Sequence, residues 1–144
     1  MIPRAFSSLL AGAVLWAGWA VAQEGVQVLP GDGARVEVPS GQEVTVQDVI
    51  LEAPEAEAVT LRFRFVAPGI AEGGGVDFDT AAADLQALCE DYALPRLAEF
   101  GPEAAQVVIS MSAVPVEFGA TVPDVVQFFE SYSVVDGGCQ WEVF

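Results

Sequence analysis

The sequence predicts a small α+β domain: a mostly antiparallel sheet of about four to five strands with one main helix packed on one face. Three observations carry this expectation. From Thr60 to Val66, the apolar Leu61, Phe63 and Phe65 alternate with Thr60, Arg62 and Arg64, which is the two-residue period of a strand with one buried and one polar face. Leu85, Leu88, Cys89 and Tyr92 recur at i, i+3, i+4 and i+7, the stripe of a helix that buries one side. Near the end, Tyr132 to Val135 and Cys139 to Phe144 flank Asp136-Gly137-Gly138, a strong hairpin signal.

Taken in order, the chain starts with Arg4, an apolar run from Leu9 to Val21 and the triplet Ala20-Val21-Ala22. These read as a secretory signal peptide over residues 1–22, cut between Ala22 and Gln23. A permanent anchor would need about 18 to 20 unbroken apolar residues, and Gly12 and Gly18 interrupt this run. The residue after the cut is Gln rather than Cys, so no lipid anchor is expected, and the destination is the periplasm or the exterior. Residues 23–42 read as a loosely packed arm with short β-like pieces, Val26 to Leu29 and Ala34 to Val38, parted by Gly31-Asp32-Gly33 and closed by Pro39-Ser40-Gly41.

Residues 43–144 read as a single domain. Glu43 to Leu51 fits two assignments, since Val44 and Val46 alternate as in a strand while Thr45 and Asp48 suit the cap of a helical turn. After the strand ending at Val66, Gly73-Gly74-Gly75 is a flexible connection, and Asp79 or Thr80 caps the main helix. Pro95 ends or kinks that helix, or opens a short second one through Leu97 to Phe100. Gln106 to Val114 is nearly continuous in apolar residues and rich in β-branched ones, as in a central strand covered on both faces. Thr121 and Asp124 form a capping-box-like pair before Val125, Phe128 and Phe129, which predicts a short amphipathic helix with both phenylalanines inward.

Charge and missing residue types narrow the chemistry. The formal net charge is −16, with 21 acidic against five basic residues, and loss of Arg4 with the leader makes the chain one unit more acidic. Nucleic acid and, after leader cleavage, anionic membrane surfaces are therefore not expected partners, because both recruit clustered Lys and Arg. The chain has no His, Lys or Asn. This excludes Ser-His and Cys-His nucleophile pairs, histidine-ligated zinc, Schiff-base chemistry and N-glycosylation. No cofactor is expected. Cys89 and Cys139, the sole cysteines, read as one structural disulfide of an exported protein, which would staple the main helix to the face that Cys139 shares with Trp141 and Val143.

Several segments, Val38-Pro39-Ser40-Gly41, Leu61-Arg62-Phe63-Arg64-Phe65-Val66-Ala67-Pro68, Leu94-Pro95-Arg96 and Asp136-Gly137-Gly138-Cys139-Gln140-Trp141-Glu142, resemble a family of short exported alphaproteobacterial proteins that form a domain of unknown function. The resemblance spans most of the chain after the leader. It implies a single exported domain and no established catalytic or binding residues. Some members carry an acetolactate synthase label, which the residues here do not support: a thiamine-dependent enzyme needs a longer chain and a diphosphate-binding motif.

Three constellations are candidate sites. Asp77 and Asp79, after the three glycines, offer two carboxylates for calcium, although the same residues suit a turn and a helix cap. Arg62 and Arg64 share a strand face and present two guanidinium forks to an anion, with internal ion pairing as the competing use. Phe128, Phe129, Tyr132 and Trp141 offer an aromatic surface to a partner, or core packing. No spacing singles out a pair of catalytic carboxylates. The reading is a non-catalytic binding or accessory domain for an unidentified protein or small ligand. The alternatives are a carboxylate-based extracytoplasmic hydrolase and a calcium-binding module.

Overall fold

In the computed structural model, residues 25–55, 58–100 and 106–143 are described; the leader and the cut at Ala22 and Gln23 lie outside them. The sheet has six strands in the order of the chain: β1 (Val26–Pro30), β2 (Thr45–Glu55), β3 (Ala58–Val66), β4 (Gln106–Ser112), β5 (Gln127–Val135) and β6 (Gly138–Trp141). Every neighbouring pair is antiparallel except β3 and β4. A parallel pair needs a long crossover, and the segment between Val66 and Gln106 supplies it with α1 (Phe78–Ala87) and the helical turns that follow.

One face of the sheet forms the core. Leu61, Phe63 and Phe65 of β3 stand beside Val107, Ile109 and Met111 of β4, and all six are buried. Ala81, Leu85, Leu88, Cys89 and Ala93 bury against them from the helical layer. Tyr92 reaches down between Phe63 and Phe65, its ring edge-on to both at 6.1 and 5.4 Å. The helix starts two or three residues earlier than the cap at Asp79 or Thr80 that the sequence predicts. Asp77 is its N-cap, accepting from the Thr80 backbone N–H at 2.9 Å, which leaves Asp79 in the first turn. Beyond Ala87 the helix widens into π-type turns over Leu88–Ala93 and then tightens into 3₁₀ turns over Leu94–Phe100. The α register is thus already lost at Leu88, and Pro95, which has no N–H to donate, falls in the first of the 3₁₀ turns.

Two elements depart from expectation and raise the strand count to six. Residues 26–30, predicted as part of a loose arm, pair along β2 as an edge strand, with Val28 opposite Ile50. The stretch from Thr121 to Phe129, predicted as a short helix, instead turns at residues 123–125 and enters β5, with Phe128 opposite Met111 and Phe129 opposite Ser110. Pairing with the free edge of β4 outweighs the local cap signal, and the two-residue period sends the phenylalanines to opposite faces. Phe128 packs against the core, whereas Phe129 is 61% exposed. The ambiguous Glu43–Leu51 segment resolves as β2 from Thr45 onward.

One turn needs positive φ and one glycine is required by space. Asp136 at 52° and Gly137 at 74° form the two-residue loop between β5 and β6, the conformation that fits the twist of a tight hairpin. Gly31 is constrained by space: a Cβ there would lie 2.7 Å from the Gln47 carbonyl oxygen, which accepts the Gly31 N–H at 2.8 Å. Gln47 sits at a register shift in β2, and its side-chain amide donates to the Val116 carbonyl at 2.7 Å, tying the β4–β5 connection to the sheet. No helix among the described residues is long and apolar enough to cross a membrane.

Candidate functional site

Cys89 and Cys139 lie at disulfide distance, Sγ to Sγ 2.06 Å. The bond joins the end of the main helix to β6, an edge strand of four residues. Between α1 and the β5–β6 hairpin that the bond ties together lies a groove of about 360 Å³, lined by Phe78, Ala82, Gln86, Glu130, Tyr132 and Trp141. The helical wall is a stripe at i, i+4 and i+8: Phe78, Ala82 and Gln86 lie one above the other. On the facing wall, Glu130 and Tyr132 are two residues apart on β5, and Trp141 is the cross-strand partner of Tyr132.

Each wall is held in place. Trp141 Nε1 donates to Glu130 Oε2 at 2.5 Å, so an indole that is 54% exposed is fixed by a carboxylate diagonally across the hairpin. The Phe78 ring, itself 45% exposed, meets Phe128 edge-on at 5.3 Å. Gln86 Nε2 donates to Glu90 Oε1 at 2.8 Å and to the Cys139 carbonyl at 2.9 Å, which fixes the amide at the disulfide end. Tyr132 is buried at the floor. Burial pushes its phenol well above the ordinary tyrosine range, and the negative charges of Glu130 and Glu90 push it further, so the hydroxyl keeps its proton.

The other candidates are engaged in the fold. On the opposite sheet face, Arg64 donates from Nε and Nη2 to the two carboxylate oxygens of Asp48, both at 2.7 Å, with each side chain 11% exposed. Its guanidinium also lies 5.5 Å from the Phe118 ring centre. Arg62 faces Glu52 at 3.7 Å, and its buried Nε has no hydrogen-bond partner among the described residues. Hollows of about 500 and 250 Å³ flank Arg64, but carboxylates already face both guanidinium groups, and Glu117 lines both hollows. Asp77 is committed to its cap. The Thr80 backbone N–H, followed by the Thr80 hydroxyl, holds its carboxyl below the usual value. Asp79 lies exposed in the first helical turn, and no group of three or more Cys, Asp or Glu among the described residues could hold a metal ion.

The aromatic set from the end of the chain is therefore divided. Tyr132 and Trp141 line the groove, Phe128 supports it from behind, and Phe129 faces the opposite side of the sheet. Sequence reasoning missed Phe78, Gln86 and Glu130. The 78/82/86 spacing was visible, but that Glu130 lies diagonal to Trp141 follows only from pairing the hairpin about Asp136-Gly137. It also missed Asp84, a fully buried carboxylate. Asp84 accepts from the Ser40 N–H at 2.9 Å, the Ser40 hydroxyl at 2.5 Å and the Gln42 amide at 2.7 Å, pinning the Val38-Pro39-Ser40-Gly41 turn to the helix.

Neither a curated protein nor a solved structure matches the chain. A family profile described as Family of unknown function (DUF6497) matches residues 15–144. The segments that the resemblance rests on include the Asp84-held turn, the core strand β3 and the hairpin carrying Trp141, and the chain belongs to this family of unknown function.

Proposed function

We propose that this chain is an exported, non-catalytic binding domain whose ligand site is the groove between α1 and the β5–β6 hairpin. One observation carries the reading: the exposed aromatic side chains of Phe78 and Trp141 stand on opposite walls of a concavity, each braced by a second residue rather than packed into the core. Rigid, half-exposed aromatic walls with a few placed polar groups are the usual makeup of a small-molecule site. The polar groups of the groove suit holding rather than reacting. Glu130 is bound to an indole, Gln86 is fixed at both of its amide bonds, and the Tyr132 hydroxyl stays protonated. Export is supported by the leader pattern over residues 1–22 and by the cysteine pair.

The test is ligand-observed NMR on protein recovered from its own host cells, against a panel of small metabolites, with Trp141→Ala alongside. Binding by the native protein that Trp141→Ala abolishes supports the reading. Binding that survives the substitution, or turnover of a panel compound that requires a pair of carboxylates, overturns it. Intact mass of the same preparation checks export: a chain starting at Gln23 and gaining two hydrogens on reduction is expected.

A further inference from the structure

The groove has a sign as well as a shape. None of the four arginines among the described residues lines it, and the chain has no lysine or histidine to place there. Its polar groups are acceptors or neutral: the Glu130 carboxylate, the Gln86 side chain with both amide donations already spent within the fold, and the protonated Tyr132. Glu90 stands beside Gln86 and close enough to Tyr132 for its charge to be felt there. An anion entering this groove would meet the Glu130 carboxylate, with Glu90 behind Gln86, and no cationic side chain among the described residues that line it.

Resting on the binding-domain reading above, we infer that the ligand is a small organic cation of the quaternary alkylammonium class, seated between the Phe78 and Trp141 rings with its charge toward Glu130. The faces of Trp, Tyr and Phe attract cations through their quadrupoles, and a quaternary ammonium, with no N–H to keep hydrated, enters an aromatic site at little desolvation cost. The carboxylate that orients Trp141 also supplies the counter-charge, so the two sources of attraction are built from one hydrogen-bonded pair. Strong net acidity draws cations toward the surface as a whole, and this groove is where that field meets aromatic faces.

The experiment is calorimetric titration of the protein recovered from its host with choline and with 3,3-dimethylbutan-1-ol, its neutral carbon isostere. Choline is expected to bind at least about fivefold more tightly, in line with a cation–π contribution of roughly 1 kcal/mol. Glu130→Gln retains an acceptor for the Trp141 N–H and removes the charge, and Trp141→Leu retains apolar bulk and removes the π face; each should weaken choline several-fold and leave the isostere nearly unchanged. Urea midpoints of both variants establish that they fold. Equal binding of choline and its isostere overturns the cation inference and leaves the groove as a binding site. Absence of binding by both overturns the groove reading as well. Choline affinity unchanged in Trp141→Leu removes the aromatic wall from the site and with it the inference.

Discussion

Reduction of the Cys89–Cys139 bond should cost about 4 kcal/mol of stability. The bond closes a loop of sequence separation 50, and in the chain-entropy treatment a cross-link of that span withholds about that much free energy from the unfolded ensemble. Protein refolded from denaturant in a phosphine reductant removes the cross-link while leaving every side chain of the sequence in place. At a urea dependence of roughly 2 kcal/mol per molar, the midpoint read by far-UV circular dichroism should fall by about 2 M. The loss should begin locally. β6 pairs only with β5 in the sheet, and without the bond it is held to the helical layer by the packing of Cys139 and by the Gln86 donation to the Cys139 carbonyl. Amide exchange in β6 should therefore quicken before exchange in β3 and β4. A midpoint shift below roughly 0.5 M at unchanged slope would refute the reasoning and show that the unfolded chain is not held by this bond.

Three further perturbations have signs set by the geometry. Asp84→Ala leaves two backbone or side-chain donors of Ser40 and one of Gln42 without their acceptor, and should cost about 3 kcal/mol in urea unfolding; a loss below about 1 kcal/mol would mean that water replaces the carboxylate. Asp48→Ala strands a guanidinium that is only 11% exposed and should cost about 3 kcal/mol, whereas the pair Asp48→Leu with Arg64→Met should recover most of the loss, and a double variant as unstable as the single one would contradict this. The Asp77 carboxyl is held below its ordinary pKa of 3.8, so its cap stabilises the fold above that pH, and the contribution fades as pH falls through the lowered value. The melting-temperature gap between the native protein and Asp77→Ala should therefore be widest near neutrality and narrow as the pH is taken below 3.8; a gap that stays constant through that acid titration would count against the cap.

Local periodicity determined much of the fold. The alternation of Leu61, Phe63 and Phe65 with Arg62 and Arg64 defined β3 and its two faces, the stripe through Leu85, Leu88 and Cys89 defined the buried side of the helix, and Asp136-Gly137 defined the hairpin. Each is a short-range pattern whose cost or gain is decided within a few residues, so it is legible in the chain itself. Tertiary structure decided what local signals left open or stated wrongly. The capping pair Thr121 and Asp124 favoured a helix by a modest local increment, but the open edge of β4 offered a row of backbone hydrogen bonds and a buried place for Phe128, and the strand won. The same long-range pairing made the six-strand count by bringing residues 26–30 onto β2. It also placed Glu130 diagonal to Trp141 and set both against the Phe78–Gln86 side of α1, a juxtaposition of residues from three elements. Asp84 shows the limit most sharply: it sits among ordinary helix residues in the sequence, and only the return of the Ser40 turn, 44 positions away, turns a surface-type carboxylate into a buried acceptor. Patterns of period two and 3.6 report which side of an element is apolar, whereas the partner of a polar group is set by how distant elements pack, and that information is not local.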